Sequence, residues 1–222
     1  MRNKMKLLLI ADDYWHSSEI LLRGMEFLLD LGYEIDLVSD AKDFVTGDLL
    51  KKYDETIIAK GNSLTAGNQH PWFEDGVTLL SPEGYWDYVR EGGSLFVLHA
   101  GASFRKEDCP GMTDLFGVSF IEHPKQCPVE VKIAMPDHPI AKGLTDFILQ
   151  QDEHYFIERT EEEGDVVLTG TSHAGEQPAC IAREVGKGRV CVLTPGHNIL
   201  VFQNEGFKKA LVNCIEWTGF RR

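Results

Sequence analysis

The sequence predicts an α/β fold: a doubly wound, mainly parallel sheet with an antiparallel extension in its C-terminal half. Three observations carry this reading. The first hundred residues alternate short apolar runs with segments of helical period. The runs "MKLLLIA" and "SLFVL" are continuously apolar, as central parallel strands covered on both faces should be. From about residue 118 onward, strand-like segments instead follow one another across turns.

The elements follow in order. Residues 5–11 form the first strand. Over 17–31 the apolar positions Ile20, Leu21, Gly24, Phe27, Leu28 and Leu31 recur at helical spacing, with Gly32 as the stop. "YEIDLVS" (33–39) is a second strand, "TGDLLKKY" a short helix and "ETIIAK" (55–60) a third strand. A Gly/Pro/Asn-rich stretch near 61–77 precedes a helix near 82–91, closed by Gly92-Gly93, and the strand 94–98. Strands are expected near 118–122, 127–134, 147–158, 165–170, 178–184 and 188–194. A last helix over about 205–218 offers Phe207, Ala210, Leu211, Cys214, Ile215 and Trp217 to the sheet. A single domain over 1–222 accommodates all of it, since this length does not demand two.

Composition excludes several function classes. A formal net charge of −13 argues against nucleic-acid and anionic-membrane partners, which require a surplus of Lys and Arg. No run approaches the length of a membrane span. The apolar stretch near the start is too short for a secretory signal and runs directly into Asp12-Asp13. The five cysteines show no CxxC pairing, and Cys180, Cys191 and Cys214 lie in apolar segments. They read as small buried hydrophobes of a reducing, cytoplasmic compartment. "GKGR" (186–189) lacks the spacing of a phosphate-cradling loop and reads as a hairpin turn, so no nucleotide cofactor is expected.

The histidines carry the functional signal. Ligands of open α/β sheets bind beyond the carboxyl ends of the strands. His16 lies just past the first strand, His99 ends the strand 94–98, and His197 in "TPGHN" follows the last. A helix start disfavours the imidazolium at His16, leaving a ring able to take a proton or a metal. Ala100, Gly101 and Ala102 permit a tight turn after His99, and Pro195-Gly196 one before His197. In "QQDEHYFIE", an extended chain puts Asp152 and His154 on one face and Glu153 and Tyr155 on the other, so one pair alone can face the site. His70, His123, His138 and His173 read as solvated loop positions. Trp72, Phe73, Tyr85 and Trp86 read as exposed aromatics, suited equally to a pocket wall or to a homo-oligomer contact.

"GGSLFVLHAGASF", "DHPIAKGL", "DEHYFIE" and "GKGRVCVLTPGHN" followed by "GF" and "IEW" together resemble the ThuA-like (trehalose utilization) family over nearly the whole chain. The resemblance implies a flavodoxin-like, class I glutamine amidotransferase-like fold and a role in carbohydrate metabolism. Amidotransferases carry a cysteine at the bend and His-Pro-Glu after the last strand. Here the bend holds His99, and His197-Asn198 stands in the second place. Cys109 lies ten residues beyond His99 and cannot occupy the bend, so glutaminase activity is not expected. Family members often carry Asp-Glu-Leu-Tyr, which maps onto Glu153 and Tyr155 and leaves His154 as a departure.

The expected activity is hydrolysis of, or elimination from, a disaccharide or oxidised (keto) sugar. His99, Glu153 and His197 are the candidate catalytic residues. His16, His197 and Glu153 are the candidate ligands of a divalent metal such as zinc, which would polarise a carbonyl or activate water. Without a metal, the same groups serve as general acid and base. Trp15, Tyr155 and Asn198, with the 61–77 loop, are the candidate substrate contacts. The alternative is a non-catalytic sugar-binding or regulatory module on an old enzyme pocket.

Overall fold

The structure is a computed structural model that describes residues 5–13, 15–39, 45–61 and 82–219. The first half runs β1 (Lys6–Ala11), α1 (Ser18–Gly24), α2 (Phe27–Asp30), β2 (Glu34–Val38), α3 (Gly47–Leu50), β3 (Glu55–Ala59), α4 (Pro82–Arg90) and β4 (Ser94–Leu98). A 3₁₀ turn (His99–Ala102) follows, then α5 (Pro110–Phe116), β5 (Val118–Glu122), β6 (Cys127–Ile133), β7 (Phe147–Asp152) and β8 (Phe156–Arg159). The chain closes with β9 (Asp165–Ser172), β10 (Gly175–Val185), β11 (Gly188–Leu193), α6 (Ile199–Gln203) and α7 (Glu205–Gly219).

Nine strands form one mixed sheet in the order β2-β1-β3-β4-β11-β10-β9-β6-β7. The neighbours from β2 to β11 pair in parallel, and those from β11 to β7 pair antiparallel. β5 and β8 form a separate antiparallel pair. Alternate strand residues supply two apolar cores, as the two-residue period of a strand requires. Leu7, Leu9, Phe96 and Cys191 pack with residues of α1, α2, α6 and α7. Leu8, Ile10, Val97 and Val190 pack with residues of α3, α4 and α5.

Two expected elements are divided, and two expected exposed aromatics are not free. The helix over 17–31 breaks at Met25-Glu26 into α1 and α2. Gly24 lies against the Phe202 ring, where a Cβ would overlap it, so this segment is shaped by α6 and not by its own period. The strand over 147–158 ends at Asp152 and resumes at Phe156 in the other sheet, leaving residues 153–155 as a link. Tyr85 is buried on α4 and is not an exposed aromatic. Trp86 is half-buried, with its Nε1 donating to the Gly111 carbonyl at 2.8 Å and Arg90 over its ring. Neither is available as a free contact face. His70, Trp72 and Phe73, and all of the 61–77 loop beyond Gly61, lie outside the described residues.

Cys180, Cys191 and Cys214 meet in the core, with Sγ separations of 3.7 and 3.9 Å from Cys180 to the other two. All three are free and fully buried among apolar side chains. Burial pushes the Cys191 and Cys214 thiols up, as expected of small hydrophobes. Among the described residues, no helix is long and apolar enough to cross a membrane.

Candidate functional site

The carboxyl ends of β1, β4 and β11 bring His16, His99 and His197 together. Their ring centroids lie 5.1 Å (His16 to His99), 5.3 Å (His16 to His197) and 5.4 Å (His99 to His197) apart. The rings meet edge to face, at 72–83° to one another. Two strand ends are strained. Asp12 after β1 has φ 79° and His99 after β4 has φ 42°, the only positive values among the described non-glycine residues. Such conformations persist where surrounding structure imposes them, and they concentrate at functional sites. Close packing also fixes the turn that follows His99. A Cβ on Gly101 would overlap the Ile58 carbonyl oxygen, so the turn can sit this low on the sheet only with glycine there.

Two of the imidazoles are oriented by a hydrogen bond on their far side, and the third by the loop that carries it. His16 Nδ1 donates to Asp13 Oδ1 at 2.8 Å. The same oxygen accepts the Trp15 and His16 amides at 2.9 Å, and Asp13 Oδ2 accepts the Gly61 amide at 2.7 Å. His99 Nδ1 donates to the Thr194 carbonyl at 2.7 Å, so its Nε2 keeps a lone pair. The loop carrying His197 is held by Asp152, whose carboxylate accepts the Gly196 and His197 amides at 3.1 and 3.0 Å. His16 Nε2 and His99 Nε2 are left buried without hydrogen-bond partners, and His197 Nδ1 faces the same space.

Glu153, on the link between β7 and β8, completes the group. Its Oε2 stands 3.0 Å from His197 Nδ1 and 3.6 Å from His99 Nε2. The four donor atoms of His16, His99, Glu153 and His197 lie within 4.8 Å of one another. Burial pushes His99 down to about 4, although Glu153 pulls the other way, so its ring is neutral at pH 7. Burial also raises Glu153, but the His197 and His99 rings outweigh it and hold the carboxyl below its usual range. At His197 burial disfavours the proton and the Glu153 carboxylate more than offsets it, for a net rise. Asp152 is pushed up to about 7 by burial, against the amides it accepts.

Three buried imidazole nitrogens facing one point suit a soft-to-borderline divalent ion. A tetrahedral zinc ion with bonds of about 2.0–2.1 Å sets its donors about 3.4 Å apart. The donor atoms of the cluster, all within 4.8 Å of one another, surround a space of that scale. The second shell also fits, with a carboxylate behind His16 and a carbonyl behind His99 fixing ring and tautomer. The donor set therefore matches the group.

The expected substrate contacts fare unevenly. Trp15 is 60 % exposed beside His16. Tyr155 is only 2 % exposed, and its ring packs on His99 at 4.3 Å and Phe120 at 4.8 Å. It backs the imidazoles and does not offer a free face to a sugar. Asn198 is the N-cap of α6, with Oδ1 accepting the Leu200 and Val201 amides and Nδ2 donating to the Gln151 carbonyl, so its polar ends serve the backbone. His154 turns away and bonds Ser172 Oγ at 2.8 Å. His123 is an exposed loop residue, as expected, and its Nε2 also stands 3.6 Å from Glu153 Oε2. His138 caps a short turn and His173 is exposed. Asp13, not singled out from the sequence, had one local signal, its position three residues before His16 at a helix entry.

A family model described as "ThuA: Trehalose utilisation" matches residues 16–218. Among solved structures, a protein of Bacteroides uniformis designated thua-like is 19 % identical, with a TM-score of 0.75 over 98 % of this chain and 93 % of its own. A thua-like protein of Parabacteroides merdae is 17 % identical, at 0.75 over 98 % and 90 %. A cytoplasmic protein of Salmonella typhimurium is 14 % identical, at 0.65 over 96 % and 98 %. At these identities the likeness is one of fold. No curated protein matches the sequence.

Proposed function

Because this chain belongs to the ThuA family, described as trehalose utilisation, we propose that it is a metal-dependent enzyme of carbohydrate metabolism. It would hydrolyse, or eliminate from, a disaccharide or keto-sugar. One observation carries the reading: the buried nitrogens of His16 and His99 have no hydrogen-bond partner, and with His197 Nδ1 and Glu153 Oε2 they form one cluster of donor atoms. An unpaired buried nitrogen costs about 1–3 kcal/mol, so two side by side call for a common partner.

His16 Nε2, His99 Nε2 and His197 Nδ1 would hold a divalent ion such as zinc. When bound, the ion supplies Lewis acidity toward a carbonyl, or toward water. A catalytic site keeps one coordination position open. Glu153 is therefore assigned as the acid–base group beside that position. Its Oε2 takes a proton from a hydroxyl or water and returns it to the leaving oxygen. Asp13 and the Thr194 carbonyl keep the His16 and His99 rings in the tautomer that leaves their inner nitrogens free. Tyr155 packs beneath His99 and excludes water from that side.

Glutaminase chemistry is not proposed: His99 occupies the bend, and Cys109 heads α5 with its thiol pushed up by burial. The strand order β2-β1-β3-β4-β11, with helices packed on both faces, supports a doubly wound, flavodoxin-like reading of the parallel half. The free core thiols and the cytoplasmic neighbour support a cytoplasmic location.

The test is elemental analysis of protein purified without chelator, followed by turnover of a panel of disaccharides and keto-sugars. One metal ion per chain is expected, with turnover abolished in folded His99→Ala and His197→Ala. Metal-free protein that takes up no zinc, cobalt or manganese would overturn the metal site. Turnover that survives both substitutions would overturn the assignment of residues.

A further inference from the structure

We propose that His123 is a further substrate-binding residue, forming with Glu153 a pair of acceptors that takes two neighbouring hydroxyl donors of a sugar. The inference rests on the carbohydrate reading above and adds a contact to it. β5 ends at Glu122, which lies opposite Phe156 at the start of β8, so the pairing sets His123 beside the link that carries Glu153 and Tyr155.

The hydrogen bonding of His123 decides which atom faces the site. Its Nδ1 lies 2.9 Å from the Pro124 carbonyl oxygen, which can only accept, so Nδ1 carries the proton. With the proton placed on Nδ1, Nε2 is the ring nitrogen that can accept, directed at Glu153 Oε2 from 3.6 Å. That separation is too long for a hydrogen bond, and two acceptors cannot bond each other. What fits between them is a donor. Adjacent hydroxyls of a sugar ring supply two, one for each acceptor, and displace whatever water bridges the pair.

Position and rigidity support the same role. Side-chain exposure rises from 3 % at His99 through 13 % at Glu153 and 19 % at His197 to 35 % at His123. His123 is therefore the most solvent-exposed of these four side chains. Its ring lies nearly parallel to Tyr155 at 5.6 Å and 27°, and Tyr155 in turn packs on His99 at 4.3 Å. The stack holds Nε2 in place before any ligand binds, which lowers the ordering cost of binding. His123 is not among the donors that lie within 4.8 Å of one another, so its loss leaves the proposed metal ligands untouched.

The experiment measures binding of trehalose and of D-glucose to the full chain, with and without zinc, by calorimetry and saturation-transfer NMR. His123→Phe keeps a ring over Tyr155 and removes the acceptor. It is expected to weaken sugar binding about tenfold, the value of one good hydrogen bond, while zinc stoichiometry and Tm stay at wild-type values. His123→Gln restores an acceptor in its side-chain oxygen and is expected to recover part of the loss. Wild-type affinity in His123→Phe, or no saturable binding of either sugar to the wild-type chain, overturns the proposal. Zinc bound without sugar binding sinks the hydroxyl pair alone, whereas sugar binding that depends on His123 without zinc uptake sinks the metal reading alone.

Discussion

Asp13 is the side chain through which the metal reading is most exposed to test. Its carboxylate accepts four hydrogen bonds, three on Oδ1 from the His16 ring and the Trp15 and His16 amides, and one on Oδ2 from Gly61. In Asp13→Asn only one end of the side chain can accept. The oxygen must face the three donors, which sets the new NH₂ group against the Gly61 amide. That amide loses its partner, at a cost of about 1–3 kcal/mol. In a chain of this length each kcal/mol lowers Tm by roughly 2–4 °C. The effect on metal binding is separate. His16 keeps its tautomer but loses the charge behind it, and losing an outer-shell partner typically reduces metal affinity about 10–100-fold. That range corresponds to about 1.4–2.7 kcal/mol. Asp13→Ala also frees the ring to rotate and belongs at the upper end. Competitive zinc titration against a chromophoric chelator reads the affinity, and denaturant unfolding of the zinc-free proteins reads the stability. If both variants bind zinc as tightly as wild type while losing stability, Asp13 is a loop brace and the second-shell argument is wrong.

Three further outcomes are expected. Zinc at a hundred times its dissociation constant should stabilise the folded chain by about 2.7 kcal/mol. That raises Tm by roughly 5–11 °C; a melt unmoved by zinc and by chelator would count against a site formed in the folded state. Asn198→Ala removes the α6 cap and should cost about 1 kcal/mol in denaturant unfolding, with sugar affinity unchanged. A variant that loses sugar binding at full stability would return Asn198 to the substrate contacts. Gly101→Ala forces a methyl group onto the Ile58 carbonyl and should lower stability by about 3 kcal/mol or prevent folding. Wild-type stability there would mean that the turn after β4 sits higher than described.

How much of this was legible in the sequence depends on the range of the interaction that fixes each residue. His16, His99 and His197 could be read because a strand end is a local feature, and parallel strands deliver their ends to one edge. Glu153 could be read because alternation separates it from His154, although the chain there is a link and not a strand. The faces sort only in part: Glu153 points to His197 and His154 to Ser172, but Asp152, expected to share the face of His154, holds the Gly196–His197 loop. What failed is what only pairing or packing decides. His123 is the exposed loop histidine it looks like, but only the pairing of β5 with β8 shows that it stands beside Glu153. Tyr155 reads as a sugar platform until Phe120 and His99 cover it. Asn198 reads as a free amide until α6 begins behind it, and α6 is too short for its period to be read. Gly24, at the end of α1, likewise meets Phe202, well over a hundred residues away. The errors thus share one cause. Periodicity reports which residues are inside, while the identity of a side chain's partner is set by contacts remote in sequence, and a binding site is made almost entirely of partners.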